Sequence, residues 1–118
     1  MKVLIVEDND LTRYTIKSLL LKMGHEVAGE AGDADAAIKA YVLLKPDVVF
    51  LDLVLPGKSG VEILEEIRAI DPKARVVVIT AVEQDEIDRG LSDKGVAAVI
   101  RKPFSYEEFK ATVNGLAA

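Results

Sequence analysis

The sequence predicts an α/β fold in which five strand-helix units, (βα)₅, wind a parallel five-stranded sheet between helices on both faces. Three observations carry that expectation. Short runs rich in β-branched residues alternate with helix-period segments from end to end. Three of the runs are apolar throughout, as strands shielded on both faces must be. No low-complexity linker or internal repeat breaks the alternation.

The first run, Val3–Val6, leads into Leu11–Met23, whose apolar residues recur three and four apart and which Gly24 stops. A weaker strand at Glu26–Gly29 precedes Ala34–Leu44, with Asp33 as N-cap and Pro46 beyond its end. Val48–Leu51 is the third strand and Val61–Ile70 the third helix, opened by Ser59 and ended before Pro72. Val76–Ile79 and Glu83–Asp93 make the fourth unit, with Gly95 as its stop. Ala97–Ile100 and Glu107–Leu116 make the fifth, where Ser105 and Glu108 have the spacing of a capping box.

Half of the 118 residues are apolar, which suffices for one hydrophobic core, so residues 1–118 are expected to form one domain. Cysteine is absent, which removes disulfides, thiolate zinc sites and a cysteine nucleophile and fits a cytoplasmic setting. The opening MKVLIVED lacks the length and cleavage site of a signal peptide. No apolar stretch approaches the roughly 20 residues of a spanning helix, so no membrane association is expected. A net charge of −5 has the wrong sign for gripping a nucleic-acid backbone, and no direct nucleic-acid contact is expected.

In a doubly wound sheet, ligands bind outside the carboxyl ends of the strands. Glu7 and Asp8 follow the first strand, Asp52 the third, Thr80 the fourth, and Lys102-Pro103 the fifth. Neighbouring strands lie about 4.8 Å apart, so these side chains can meet on one small ligand. Crowded carboxylates repel unless a positive charge offsets them. An oxygen-only set with room for water suits Mg²⁺, with Mn²⁺ as a substitute. No GxGxxG or GxxxxGK[ST] follows a strand.

The VLIVED opening, the FLDLVLPGKSG stretch around Asp52, the VITA run and the RKPF turn together resemble the receiver domains of two-component response regulators. The similarity covers essentially the whole chain. It implies a flavodoxin-like sheet of strand order 2-1-3-4-5, like that of chemotaxis receivers. It also implies that Asp52 is the phosphoacceptor, attacking phosphorus in line. Asp8 would bind Mg²⁺ directly and Glu7 through water, with Asp52 and the Val54 carbonyl completing the protein's share. Lys102 would pair with Asp52 at rest and with a phosphoryl oxygen afterwards, aimed by a cis bond to Pro103. Thr80 would donate its hydroxyl to the phosphoryl group, beside a small Ala81. Gly60 is expected to serve the turn into the third helix, and the sole histidine, His25, to stand at the opposite strand ends with no catalytic part.

The same resemblance implies a phosphorylation-controlled binding switch that promotes its own phosphorylation and slow dephosphorylation and is otherwise no enzyme. Its partners would be a sensor histidine kinase or phosphotransfer protein. A downstream effector or fused output domain would read the face of the fourth helix, fifth strand and fifth helix. A homodimer stays open. Two other readings compete. A flavodoxin-like nucleotide-binding protein is opposed by the acidic Glu7-Asp8-Asn9-Asp10 loop. A degenerate receiver used only for docking or dimerisation is opposed by the retained Glu7, Asp8, Asp52, Thr80 and Lys102.

Several positions depart from the family pattern. Val99 stands where receivers usually carry the aromatic residue that rotates toward the threonine, so the usual coupling cannot operate in that form. Tyr106 is expected to pack half-exposed on its own helix, and Leu55 replaces a common methionine with little change in volume. Val54 and Val82 are apolar where a polar side chain can position attacking water, which predicts a long-lived phosphorylated state.

Overall fold

The computed structural model describes residues 1–81 and 95–116. Strands β1 (Lys2–Val6), β2 (Glu26–Ala31), β3 (Val48–Asp52), β4 (Val76–Thr80) and β5 (Ala98–Arg101) form one parallel sheet in the order β2-β1-β3-β4-β5. The helices are α1 (Asp10–Lys22), α2 (Ala34–Leu44), α3 (Gly60–Ile70) and a C-terminal helix, Tyr106–Leu116. The expected strand order is the observed one. The helical segment at Glu83–Asp93 lies outside the described residues.

Because successive side chains of a strand point to opposite faces, each apolar run feeds two cores. Leu4, Val6, Val49, Leu51, Val76 and Val78 face α2 and α3, which supply Ala37, Tyr41, Ile63, Leu64 and Ile67. Val3, Ile5, Phe50, Val77 and Ile79 face α1 and the C-terminal helix, which supply Ile16, Leu20, Phe109 and Val113. The Phe109 ring lies 5.7 Å from that of Phe50 and 5.5 Å from that of Phe104. The strands running toward the rim are therefore held from both sides.

The helix ends follow capping chemistry. Asp33 accepts from the Ala36 N–H, Ser59 from that of Glu62 and Ser105 from that of Glu108. Asn9, which sequence reasoning passed over, caps α1 by accepting from the Thr12 N–H at 2.9 Å. Gly24, just past α1, has positive φ, the conformation that ends a helix at little steric cost, and Gly95 has positive φ as well. Lys45 closes α2 with φ 47° and ψ 60°, a left-handed conformation unusual for a residue with a Cβ.

Element limits differ from expectation by a residue or two. Strand β2 runs on to Ala31 and pairs with β1 across a register shift between Val3 and Leu4. Asp52 and Thr80 are the last residues of their strands rather than the first of the following loops. Their backbones are therefore fixed by the sheet.

Candidate functional site

The carboxyl rim brings the expected residues together. Glu7 and Asp8 lie just past β1, Asp52 ends β3, Thr80 ends β4 and Lys102 follows β5. Lys102 Nζ lies 2.7 Å from Glu7 Oε1 and 3.1 Å from Asp52 Oδ2. One ammonium thus bridges carboxylates from two strands. Glu7 and Asp52 are only 2% and 6% exposed, whereas Asp8 is open to solvent.

Each group is aimed by its surroundings. The Lys102 N–H donates to the Thr80 carbonyl at 2.8 Å, and the Lys102–Pro103 peptide is cis. Asp52 Oδ1 accepts from the Val54 N–H at 3.1 Å, while Oδ2 faces the lysine. The β3–α3 loop folds back so tightly that a Cβ on Gly60 would stand 2.4 Å from Leu53 Cα and 2.7 Å from the Asp52 carbonyl. Gly60 serves this turn, as expected, and the close approach is the reason a side chain is excluded.

Electrostatics set Glu7 apart. Burial, reinforced by the Asp52 carboxylate and opposed by Lys102, pushes its pKa up to about 7. For Lys102, burial acts to lower the pKa, but the bonds to Glu7 and Asp52 outweigh it and hold the ammonium above the usual lysine range.

The donor set fits a hard divalent cation. Carboxylate oxygens of Glu7, Asp8 and Asp52 all lie within 4.8 Å of one another, and among the described residues no softer ligand joins them. Glu7 Oε2 is buried without a hydrogen-bond partner, so one lone-pair-bearing oxygen in the pocket awaits a positive neighbour.

The other residues singled out from the sequence take varied places. His25 lies at the amino end of the sheet, its Nδ1 3.1 Å from the N-terminal amine, and burial and that amine lower its pKa. Tyr106 is half-buried, with Lys22 Nζ of α1 4.7 Å from its ring centre as well as Lys110 of its own helix. Val99 is half-buried against the α2–α3 core. Val82 lies outside the described residues. Arg13, a residue the sequence reading passed over, reaches into the rim from α1 and donates to the Glu7 carbonyl at 2.7 Å.

A doubly wound sheet with a lysine-bridged acid pocket at its carboxyl rim, and no phosphate-cradling glycine loop, defines a small α/β protein built around a cluster of acids. The chain belongs to the family described as response regulator receiver domain, whose model matches residues 3–114. It is 38% identical over 103 residues to the chemotaxis protein CheY of Thermotoga maritima, covering 87% of this chain and 86% of that protein. It is 37% identical over 107 residues to the transcriptional regulatory protein PdtaR of Mycobacterium tuberculosis, covering 91% of this chain but only 52% of PdtaR. Among solved structures, the complex of CheX, CheY, BeF₃ and Mg²⁺ from Borrelia burgdorferi contains a chain that matches with a TM-score of 0.95 at 26% identity, over 100% of this chain and 90% of that one.

The protein is thus a receiver domain of two-component response regulators, the phosphorylation switch of those systems. Receiver domains bind Mg²⁺ at an acidic pocket and work with histidine kinases and output domains, and in this chain Glu7, Asp8 and Asp52 form an acidic cluster at the carboxyl rim. Among the described residues, no helix is long and apolar enough to cross a membrane.

Proposed function

We propose that Asp52 accepts a phosphoryl group, that Glu7, Asp8, Asp52 and the Val54 carbonyl hold one Mg²⁺, and that Lys102 and Thr80 stabilise the transferred group. The observation that carries this reading is the 3.1 Å pairing of Asp52 Oδ2 with Lys102 inside a cluster of three carboxylates. The B. burgdorferi relative, whose complex contains BeF₃ and Mg²⁺, supports it. Residues 1–118 are read as one receiver unit, working in the cytoplasm.

In the transfer from a phosphohistidine, the P–N bond breaks and a P–O bond forms to Asp52. The electron pair of the broken bond stays on the imidazole, which takes up a proton. Bound Mg²⁺ supplies positive charge against the phosphoryl oxygens and the crowded acids, and Mn²⁺ can replace it in an all-oxygen site. Lys102 neutralises Asp52 at rest and meets a phosphoryl oxygen afterwards. The Val54 N–H holds Oδ1, which turns Oδ2 toward the lysine. Thr80, held by the sheet, brings a hydroxyl to the same rim.

The domain is read as promoting its own phosphorylation and slow dephosphorylation. A sensor histidine kinase or phosphotransfer protein supplies the group. An effector or fused output domain reads the result on a face that includes β5 and the C-terminal helix. Incubation with acetyl phosphate and Mg²⁺ should add one phosphoryl group, seen by intact mass, and Asp52→Asn should take none. Labelling of Asp52→Asn, or no labelling of the native chain at saturating Mg²⁺, overturns the reading. The second result is what a docking-only module would give.

A further inference from the structure

We infer that Arg13 is the positioning residue of the acid pocket: by bonding the Glu7 carbonyl it fixes Glu7 and Asp8 for the divalent cation, and this anchorage outweighs the repulsion of its own charge. The inference rests on the metal reading proposed above.

Strand β1 ends at Val6, so Glu7 and Asp8 lie where the ladder no longer pins the backbone. The Glu7 N–H still donates to the Ala31 carbonyl at 2.9 Å. Its carbonyl needs another donor, because a buried, unpaired backbone group costs as much as a lost hydrogen bond. Arg13 Nη1 supplies that donor at 2.7 Å. The same guanidinium reaches Asp10 through Nη2 and lies 3.5 Å from Glu30 through Nε. A planar fork of five donors can make these bonds at once, which a lysine cannot. Glu7 is thereby tied to β2 on one side and to α1 on the other.

Arg13 also lines an open groove of about 410 Å³ whose other walls include Asp8, Asp10, Glu30 and Asp33. Two effects on cation binding oppose each other. Removing the Arg13 charge lowers repulsion toward Mg²⁺, whereas removing its bond frees the backbone that carries two ligands. The sign of the change in affinity therefore separates them. Groups that orient ligands from behind typically matter by ten- to a hundredfold in metal affinity, which puts anchorage ahead.

Calorimetric Mg²⁺ titration of the full chain tests this without reference to phosphorylation. Arg13→Gln should weaken binding about tenfold, and Arg13→Lys should weaken it in the same direction by less. Lys17→Met breaks the other basic contact to Glu30, at 3.3 Å, and should leave binding unchanged. In a Glu7→Gln background, which keeps the backbone carbonyl, Arg13→Gln should still weaken binding, because the anchorage also places Asp8. Unchanged or tighter binding in either Arg13 variant, or equal weakening by Lys17→Met, overturns the inference, and if Arg13→Gln does not fold, Arg13→Lys decides. A native chain that binds no Mg²⁺ overturns the metal reading itself, a failure visible before any variant is made.

Discussion

Lys102 Nζ stands closer to Glu7 Oε1, at 2.7 Å, than to Asp52 Oδ2, at 3.1 Å. The lysine therefore belongs to the whole acid pocket and not to the Asp52 pair alone. Lys102→Met should leave two buried carboxylates without their cation. We expect a stability loss of about 2 kcal/mol by urea denaturation in the absence of Mg²⁺. Phosphorylation by acetyl phosphate should slow about a hundredfold. A variant as stable and as reactive as the native chain would show that the ammonium contributes nothing at this site.

The pH dependence follows from Glu7, whose pKa is raised from 4.5 to about 7 by burial first and the Asp52 carboxylate next. The folded, metal-free chain holds a proton that the unfolded chain releases near 4.5, so this contribution to stability is full below that pH and fades as pH rises through 7. Mg²⁺ favours the ionised Glu7 carboxylate, even through a bridging water, and its binding releases the proton. Its affinity should rise from about pH 6 to about pH 8 with proton release, and Glu7→Gln should flatten the profile. Equal affinity at both pH values in the native chain would contradict the assignment.

At Gly60 the neighbours are backbone atoms that cannot turn aside. A Cβ 2.4 Å from Leu53 Cα forces the β3–α3 loop away from the strand end. Gly60→Ala should cost about 3 kcal/mol and slow phosphorylation by shifting Asp52. A melting temperature like that of the native chain would show that the loop yields freely.

Lys45 offers the opposite change. With φ 47° it holds a left-handed conformation that glycine adopts without penalty. Lys45→Gly should raise stability by about 0.5 kcal/mol, the steric relief less the added freedom of the unfolded chain. A lower denaturation midpoint would contradict this.

Val54 is 63% exposed beside Asp52 and offers attacking water no polar partner. The phosphorylated chain should keep its group for minutes or longer once the donor is removed, and Val54→Asn should shorten that time. Loss within seconds in the native chain would refute the expectation.

The fold was legible where the chemistry is repetitive. Strands β1, β3 and β4 announce themselves as unbroken apolar runs because both of their faces are covered. Strand β2 read as weak and short because it borders solvent and carries Glu26, Gly29 and Glu30. The gathering of Glu7, Asp8, Asp52 and Lys102 was legible because each stands at the end of a recognisable run. The hold of Arg13 on the Glu7 carbonyl was not, since a backbone acceptor leaves no mark on residue identity. The Asn9 cap was hidden for a related reason: among neighbouring acids, its amide looks like one more loop residue.

The sheet is unevenly supported across its width. At its centre, β1, β3 and β4 are wedged between helices with almost no free surface, and any shift there would open a densely filled interior. At one margin, Ala98 and Val99 of β5 are covered only in part. Small adjustments are therefore easier at this margin than at the centre, where Asp52 stands at the end of β3.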